Sequence, residues 1–493
     1  MFDEIFAPRQ LLDELGDRAW LQAMLDTERA LAQAEAAVGL IPAAAAEAIA
    51  PRCRAELFEG ERIAHEGRSS GNPAEPLVRA LRALVGGEAA GYVHYGATSQ
   101  DIVDTAAMLV SRRALELVLA DVAAVTAACA GLAENHRATP MVARTLLQQA
   151  LPTTFGVKAA TWLVGVVEAQ RLVLDARERL AVQLGGAAGT LAALGEHGPE
   201  VMGRVARDLG LAEPALPWHT SRVRVAALGS GLATLAGALG KIALDVVLMA
   251  QTEVGELSEP AGEGRGGSST LTHKRNPIGS TLALAGARRA HAHAGLLTGS
   301  LVQEHERAVG AWHAEWEGIA GVLAATGGAA ANMADALGGL VVHAERMHVN
   351  LAATRGLIMS ERLVFALAER LGHEDARALV SEAGARASER GTGLRDELAA
   401  DRRMPLSAAE LDAAFAPETY VGAADVFIDR ALDLYRAAAS ARKDVHKAVS
   451  SGRRAGSRGG APRRPRSACR RPRAPARTSR ASRRSGAAAC AWG

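Results

Sequence analysis

Proline is missing from three long stretches of this chain, 153–198, 218–259 and 278–404. Proline is excluded from helix interiors because it lacks an N–H and its ring clashes with the preceding turn. Long stretches without it, rich in Ala and Leu, therefore read as long helices. Between 223 and 257 the apolar residues Val225, Leu228, Leu232, Leu235, Leu239, Ile242, Val246 and Met249 recur at helical spacing. That is a core-facing stripe in a helix bundle. Aromatic residues make up only 3% of the chain, which suits close helix–helix packing better than a β-sandwich.

The punctuation gives a coarse map. Residues 1–105 read as an N-terminal helical domain broken by prolines, 106–350 as a central long-helix bundle, and 351–447 as a smaller C-terminal helical domain. Residues 448–493 are rich in Arg, Pro, Ser, Ala and Gly without apolar periodicity, and are expected to be disordered. The net charge of +2 hides an asymmetry. After Asp444 there are thirteen arginines, Lys447 and no acid; without them the rest of the chain stands at −12. An acidic body argues against nucleic acid as the main partner. Cys53, Cys129, Cys469 and Cys490 match neither a disulfide framework nor a zinc motif, which points to a reducing cytoplasm. The N-terminus carries no signal-peptide pattern, and no uncharged apolar run reaches 18 residues, so no membrane span is expected.

Four segments carry candidate chemistry. Residues 259–280 hold glycines at 262, 264, 266 and 267, then Ser268, Ser269, Lys274 and Asn276. Such a loop reads as an anion-binding lid with a proton-transfer serine, or equally as a flexible linker. At 91–105, Thr98, Ser99, Gln100 and Asp101 mark a helix N-terminus, whose free N–H groups bind anions, or an ordinary cap. At 141–158, Arg144, Thr145 and Gln148 read as ligand contacts or as a polar helix end. At 303–316, Val309, Trp312 and Trp316 are expected on a buried helix face. His305, Glu306, Arg307 and His313 form a polar cluster on that helix, at spacings that fit no metal site.

These segments, in this order, resemble the superfamily of fumarases, aspartases, argininosuccinate lyases and adenylosuccinate lyases. The loop is similar to its signature S-S-x-M-P-x-K-x-N, with Leu271-Thr272 in place of Met-Pro, and the resemblance runs from the N-terminus to about residue 445. The runs His94–Asp101, Arg144–Pro152, Trp218–Thr220 and Gln303–Trp316 are most similar to the bacterial 3-carboxy-cis,cis-muconate cycloisomerases within it.

The resemblance implies an all-α homotetramer with a 20-helix core and active sites shared between subunits. It implies lactonisation of a small tricarboxylate through an aci-carboxylate, with no metal or organic cofactor. It also implies roles for named residues. Ser269 would transfer the α-proton, with Ser268 supporting the turn. Lys274 and Asn276 would hold the carboxylate where charge accumulates, and His273 would contact substrate. Thr98, Ser99 and Gln148 would position substrate, and His94, Arg222 and Arg307 would supply polar or cationic contacts. Many lyases of the superfamily carry a histidine where this chain has Leu146, an absence that favours the cycloisomerase. The competing expectations are an adenylosuccinate lyase-like enzyme and a helical scaffold without catalysis.

Overall fold

A computed structural model describes residues 2–262, 266–267, 271 and 274–455, with side chains described as far as residue 440. Five long helices make the body: Ser99–Asn135, Phe155–Glu178, Val223–Met249, Ile278–Gly299 and Ala311–Gly338. Four of them fall in the proline-free stretches, and Ser99–Asn135 also contains no proline. They pack side by side as a bundle. All eight residues of the 225–249 stripe are buried, at 0–4% exposure. Each such side chain contributes roughly 1.5–3 kcal/mol of burial.

Small residues set the helix spacing. A Cβ at Gly286 would stand 2.9 Å from the Ala325 carbonyl oxygen of the neighbouring helix, so the two backbones approach closely only because it is glycine. By length and composition, Ser99–Asn135 and Val223–Met249 would each be apolar enough to cross a bilayer. In this fold both are central bundle helices with extensive buried surface.

Strands are few. Pro140–Thr145 pairs antiparallel with Gln148–Thr154, and the dipeptide Leu257–Ser258 pairs with Val341–Val342. A second, smaller core gathers Leu351, Met359, Leu363, Leu367, Leu379, Leu394, Leu398 and Leu411, and Val142 of the hairpin belongs to it.

The final helix runs Ala424–Ala455. The expectation of disorder from 448 is therefore corrected for 448–455. Lys447, Ala448, Arg453, Arg454 and Ala455 are strong helix formers, and this local preference continues the helix where no apolar period marks it. The rest of the expected tail, 456–493, lies outside the described residues.

Candidate active site

The glycine-rich segment is pinned at both ends. Glu259 accepts hydrogen bonds from the N–H groups of Gly279 (3.0 Å) and Ser280 (2.7 Å) and from the Ser280 hydroxyl (2.7 Å). One carboxylate thus ties the start of the segment to the first turn of the Ile278–Gly299 helix, where the helix dipole favours negative charge. Next to it, the Leu257–Ser258 strand holds Val341–Val342, and Ser258 Oγ lies 2.9 Å from His343 Nε2. Further along, Asn276 N–H donates to Gly266 O (2.9 Å), and Gly267 bridges Arg275. Gly266 has φ +62°, and a Cβ there would stand 2.6 Å from the Asn276 oxygen. Glycine is thus required at 266 for Asn276 to sit where it does. Lys274 is exposed and Asn276 half-buried. Both line a cavity of about 1300 Å³, together with Gln251, Asn332, Asp335 and His343. Ser268, Ser269 and His273 lie outside the described residues.

The Arg144 segment is a β-hairpin, not a helix end. Arg144↔Gln149 and Thr145↔Gln148 close it, leaving Leu146-Leu147 as a two-residue loop. Such a loop needs positive φ at both positions and favours Asn-Gly; the two leucines adopt φ +50° and +64°. They are also 97% and 74% exposed. Neither sterics nor the hydrophobic effect favours this tip in an isolated chain. Thr145 and Gln148 flank it, both exposed. Arg144 is taken up otherwise: its guanidinium grips Glu256 through two bonds of 2.9 and 2.7 Å. Glu256 is fully buried and also accepts from Asn350 Nδ2 (2.7 Å). The arm of the hairpin is therefore clamped to the root of the glycine-rich segment.

The third group surrounds the start of the Ser99–Asn135 helix. Asp101 Oδ2 accepts from the N–H of Thr98 (3.1 Å) and Gly186 (2.9 Å), and its Oδ1 from Gly185 N–H (3.0 Å) and His219 Nε2 (2.7 Å). Thr98 and Ser99 stay half-buried at the rim. Arg307 approaches the same peptide from its other side, donating to the carbonyls of Gly186 (2.6 Å) and Ala187 (3.0 Å). His94, at φ +61°, sets its Nδ1 2.7 Å from Glu28 Oε1. His94 and Ser99 line a separate cavity of about 340 Å³ with Glu75, Val78, Arg79 and Arg82.

Arg222 is placed differently from the expectation. It is 1% exposed. Its nitrogens bond both oxygens of Asp104 (2.7 and 3.0 Å) and the carboxylate of Glu315, and the guanidinium stacks 4.7 Å over the Trp218 ring. Burial alone would lower its pKa, but Asp104 and Glu315 carry it above the ordinary arginine value. This is a structural strut whose donors are engaged by protein, so its reading as a substrate contact is corrected. The 303–316 reading is corrected as well. The helix begins only at Ala311, residues 301–310 form a loop, and Val309 is 84% exposed. Trp312 does face the core, donating Nε1–H to Asp104 (2.9 Å).

The candidate residues thus fall into three groups: Lys274 and Asn276 on one cavity, Gln148 at the hairpin tip, and His94, Thr98, Ser99 and Arg307 around a helix start. Among the described residues, no three His, Cys, Asp or Glu side chains gather as a metal would require. The sequence reading missed the acids that hold the groups in place: Glu28, Asp104, Glu256, Glu259 and Glu315. A signal existed for Glu28. Leu21, Leu25, Glu28, Leu31 and Glu35 lie on one face of the Asp17–Ala37 helix, and all are buried. An acid in such a stripe needs a partner.

Comparison with known proteins agrees with this architecture. The family model described as lyase matches residues 7–292, and the adenylosuccinate lyase C-terminus model matches 356–431. The chain is 51% identical over 423 residues to a 3-carboxy-cis,cis-muconate cycloisomerase of Bradyrhizobium diazoefficiens, covering 85% of this chain and 94% of that one. It is 47% identical to a nitrosuccinate lyase of Streptomyces davaonensis, covering 85% and 91%. The crystal structure of the 3-carboxy-cis,cis-muconate lactonizing enzyme from Pseudomonas putida superposes with a TM-score of 0.85 at 38% identity, covering 89% of this chain and 99% of that one. The helical bundle and the family matches define the class, an all-α member of the lyase family. The chain belongs to the fumarase/aspartase superfamily.

Proposed function

We propose that this enzyme is a 3-carboxy-cis,cis-muconate cycloisomerase. The observation that carries this reading is the hairpin tip, Thr145-Leu146-Leu147-Gln148, which offers a substrate two hydrogen-bonding side chains and no proton donor of useful pKa. Superfamily reactions that expel an amine or water need an acid at the leaving group. A carboxylate, with a pKa near 4, leaves and attacks as the free anion. Lactonisation by a substrate carboxylate therefore tolerates leucine where an acid would otherwise stand. The likeness to cycloisomerases over nearly their whole length supports the same reading.

In this reading the substrate carboxylate adds to the double bond, and Ser269 delivers a proton to the carbon α to another carboxylate. The intermediate carries extra charge on that carboxylate, and Lys274 and Asn276 stabilise it. Thr98, Ser99, Gln148, His94 and Arg307 bind the remaining carboxylates. The three groups meet when neighbouring subunits of a homotetramer bring a hairpin tip and a helix start to each glycine-rich loop. Covering the exposed Leu146 and Leu147 would also remove the cost of that tip. The buried free thiols of Cys53 and Cys129 are in keeping with a reducing, cytoplasmic setting for this reaction.

The same tip supports a second reading. Nitrite is also a stable anion that leaves without an acid, and one relative is a nitrosuccinate lyase. Purified enzyme is expected to remove the absorbance of 3-carboxymuconate, and to leave adenylosuccinate unchanged. Nitrite release from nitrosuccinate without loss of muconate absorbance would replace the first reading with the second. Activity on none of the three would favour a scaffold.

A further inference from the structure

Behind the small cavity at the start of the Ser99–Asn135 helix lies a carboxylate to which the proposed reaction assigns no role. Glu28 is 1% exposed and sits on the Asp17–Ala37 helix, 66 residues from its partner in sequence. Its Oε1 lies 2.7 Å from His94 Nδ1, and the imidazole is itself only 15% exposed. A carboxylate accepts and cannot donate, so Nδ1 carries the proton. Nε2 has no partner among the described residues, and the ring lines the cavity with Ser99, Arg79 and Arg82. The residue is held at φ +61°, a conformation a histidine adopts at a cost. Arg82 fixes the adjoining backbone by donating to Val93 O (3.0 Å).

The geometry points to Glu28 as a positioning residue. It holds His94 as an imidazolium, with Nε2–H aimed into the cavity as a cationic subsite for a substrate carboxylate. This rests on the reading of the helix start as part of a tricarboxylate site.

The surroundings support the charge state. Burial lowers the His94 pKa, but the charge and hydrogen bond of Glu28, with Asp101 beyond, raise it above the ordinary value against the opposing charge of Arg82. Arg79 on the same cavity is itself paired with Glu66 and Glu75. One more group bears on Glu28. Glu35, two turns along the same helix face, is fully buried, and neither of its oxygens has a hydrogen-bond partner among the described residues. Burial first, then the charge of Glu28, pushes its pKa up to about 9. Glu35 is therefore neutral at pH 7 and adds no second charge beside the Glu28–His94 pair. Without Glu28, the ring would lose its proton within the working pH range and could offer either tautomer to the cavity.

The test reads His94 directly, by deuterium exchange at the imidazole C2–H of the folded enzyme across pH, followed by mass spectrometry of the peptides that carry His94 and His65. In the unmodified protein, the His94 midpoint is expected above that of the exposed His65. In Glu28→Gln it is expected to fall by at least one pH unit. Turnover of Glu28→Gln is expected to drop tenfold or more at pH 8 and to recover substantially toward pH 6. In a His94→Gln background, Glu28→Gln is expected to cause no further loss. A His94 midpoint at or below that of His65 would overturn the assignment even if Glu28→Gln failed to fold. An unchanged midpoint in Glu28→Gln would overturn it, as would a loss of turnover equal at every pH. The exchange readout needs no substrate. Failure of the proposed reaction, with the midpoints as expected, would therefore count against the reaction and leave the Glu28–His94 pair standing.

Discussion

His219 Nε2 stands 2.7 Å from Asp101 Oδ1, and both side chains are shut away from solvent. Asp101 also receives three backbone N–H groups, from Thr98, Gly185 and Gly186. It therefore fixes the Thr98–Ser99 corner, the 185–186 peptide and the Trp218-His219 turn at once. Asp101→Asn keeps the shape but turns one acceptor oxygen into a donor facing N–H groups. Hydrogen bonds to a buried charge contribute roughly 1.5–3 kcal/mol each, so a loss of about 2–4 kcal/mol is expected in urea unfolding. kcat/KM should fall with it, because Ser99 loses its support. Unchanged stability together with unchanged kcat/KM would refute this role.

Arg222 yields a prediction of the opposite kind. Removing it leaves Asp104 and Glu315 buried and unpaired, which typically costs about 3–5 kcal/mol. Burial already raises the Glu315 carboxyl above its ordinary range despite Arg222. Arg222→Leu is thus expected to lower the unfolding midpoint sharply, while KM of the folded fraction changes by less than about threefold. A large rise in KM at an unchanged midpoint would return Arg222 to the substrate.

The glycine-rich loop should separate catalysis from stability. Lys274 is exposed, so Lys274→Met should leave the unfolding midpoint unaltered. A preorganised contact to developing charge is worth about 10²–10³ in kcat, and a loss of that size is expected for Lys274→Met and Asn276→Ala. Gly266→Ala should resemble Asn276→Ala, because the added Cβ would displace the Asn276 backbone. Ser269→Ala should abolish measurable turnover in a protein that keeps its oligomeric state on gel filtration. Near-normal turnover in Ser269→Ala would remove the central residue of the proposed chemistry.

The bundle was legible because proline spacing and the Val225–Met249 stripe report backbone-local physics, namely which segments can be helical and which face is buried. The hairpin was not, because Leu146-Leu147 is among the least expected pairs for a turn with two positive φ values. Only tertiary contacts such as Arg144–Glu256 hold it there. The helix start at Ser99 was visible through its cap, but the same Thr-Ser-x-Asp pattern describes many caps without ligands. Arg222 was misread because a lone arginine in a polar turn gives no sign of two acids, Asp104 and Glu315, 118 and 93 residues away. Pairings at that range belong to the topology, which no local pattern encodes.

Glu35 supplies the last prediction. In the folded chain its pKa is about 9, against an ordinary 4.5. Between those values the folded state binds a proton that the unfolded chain releases. The contribution of Glu35 to stability is therefore whole below pH 4.5, declines as pH rises, and is lost above about pH 9. The slope is at most about 1.4 kcal/mol per pH unit for each chain. Glu35→Gln keeps the volume and removes the titration. Its unfolding midpoint relative to the parent protein is expected to rise steadily from pH 5 to pH 9. The parallel readout is the parent protein's own loss of midpoint over the same range. Two curves that run parallel throughout would mean that Glu35 is ionised in the fold and has a partner, and the neutral state inferred for it beside Glu28 would be wrong.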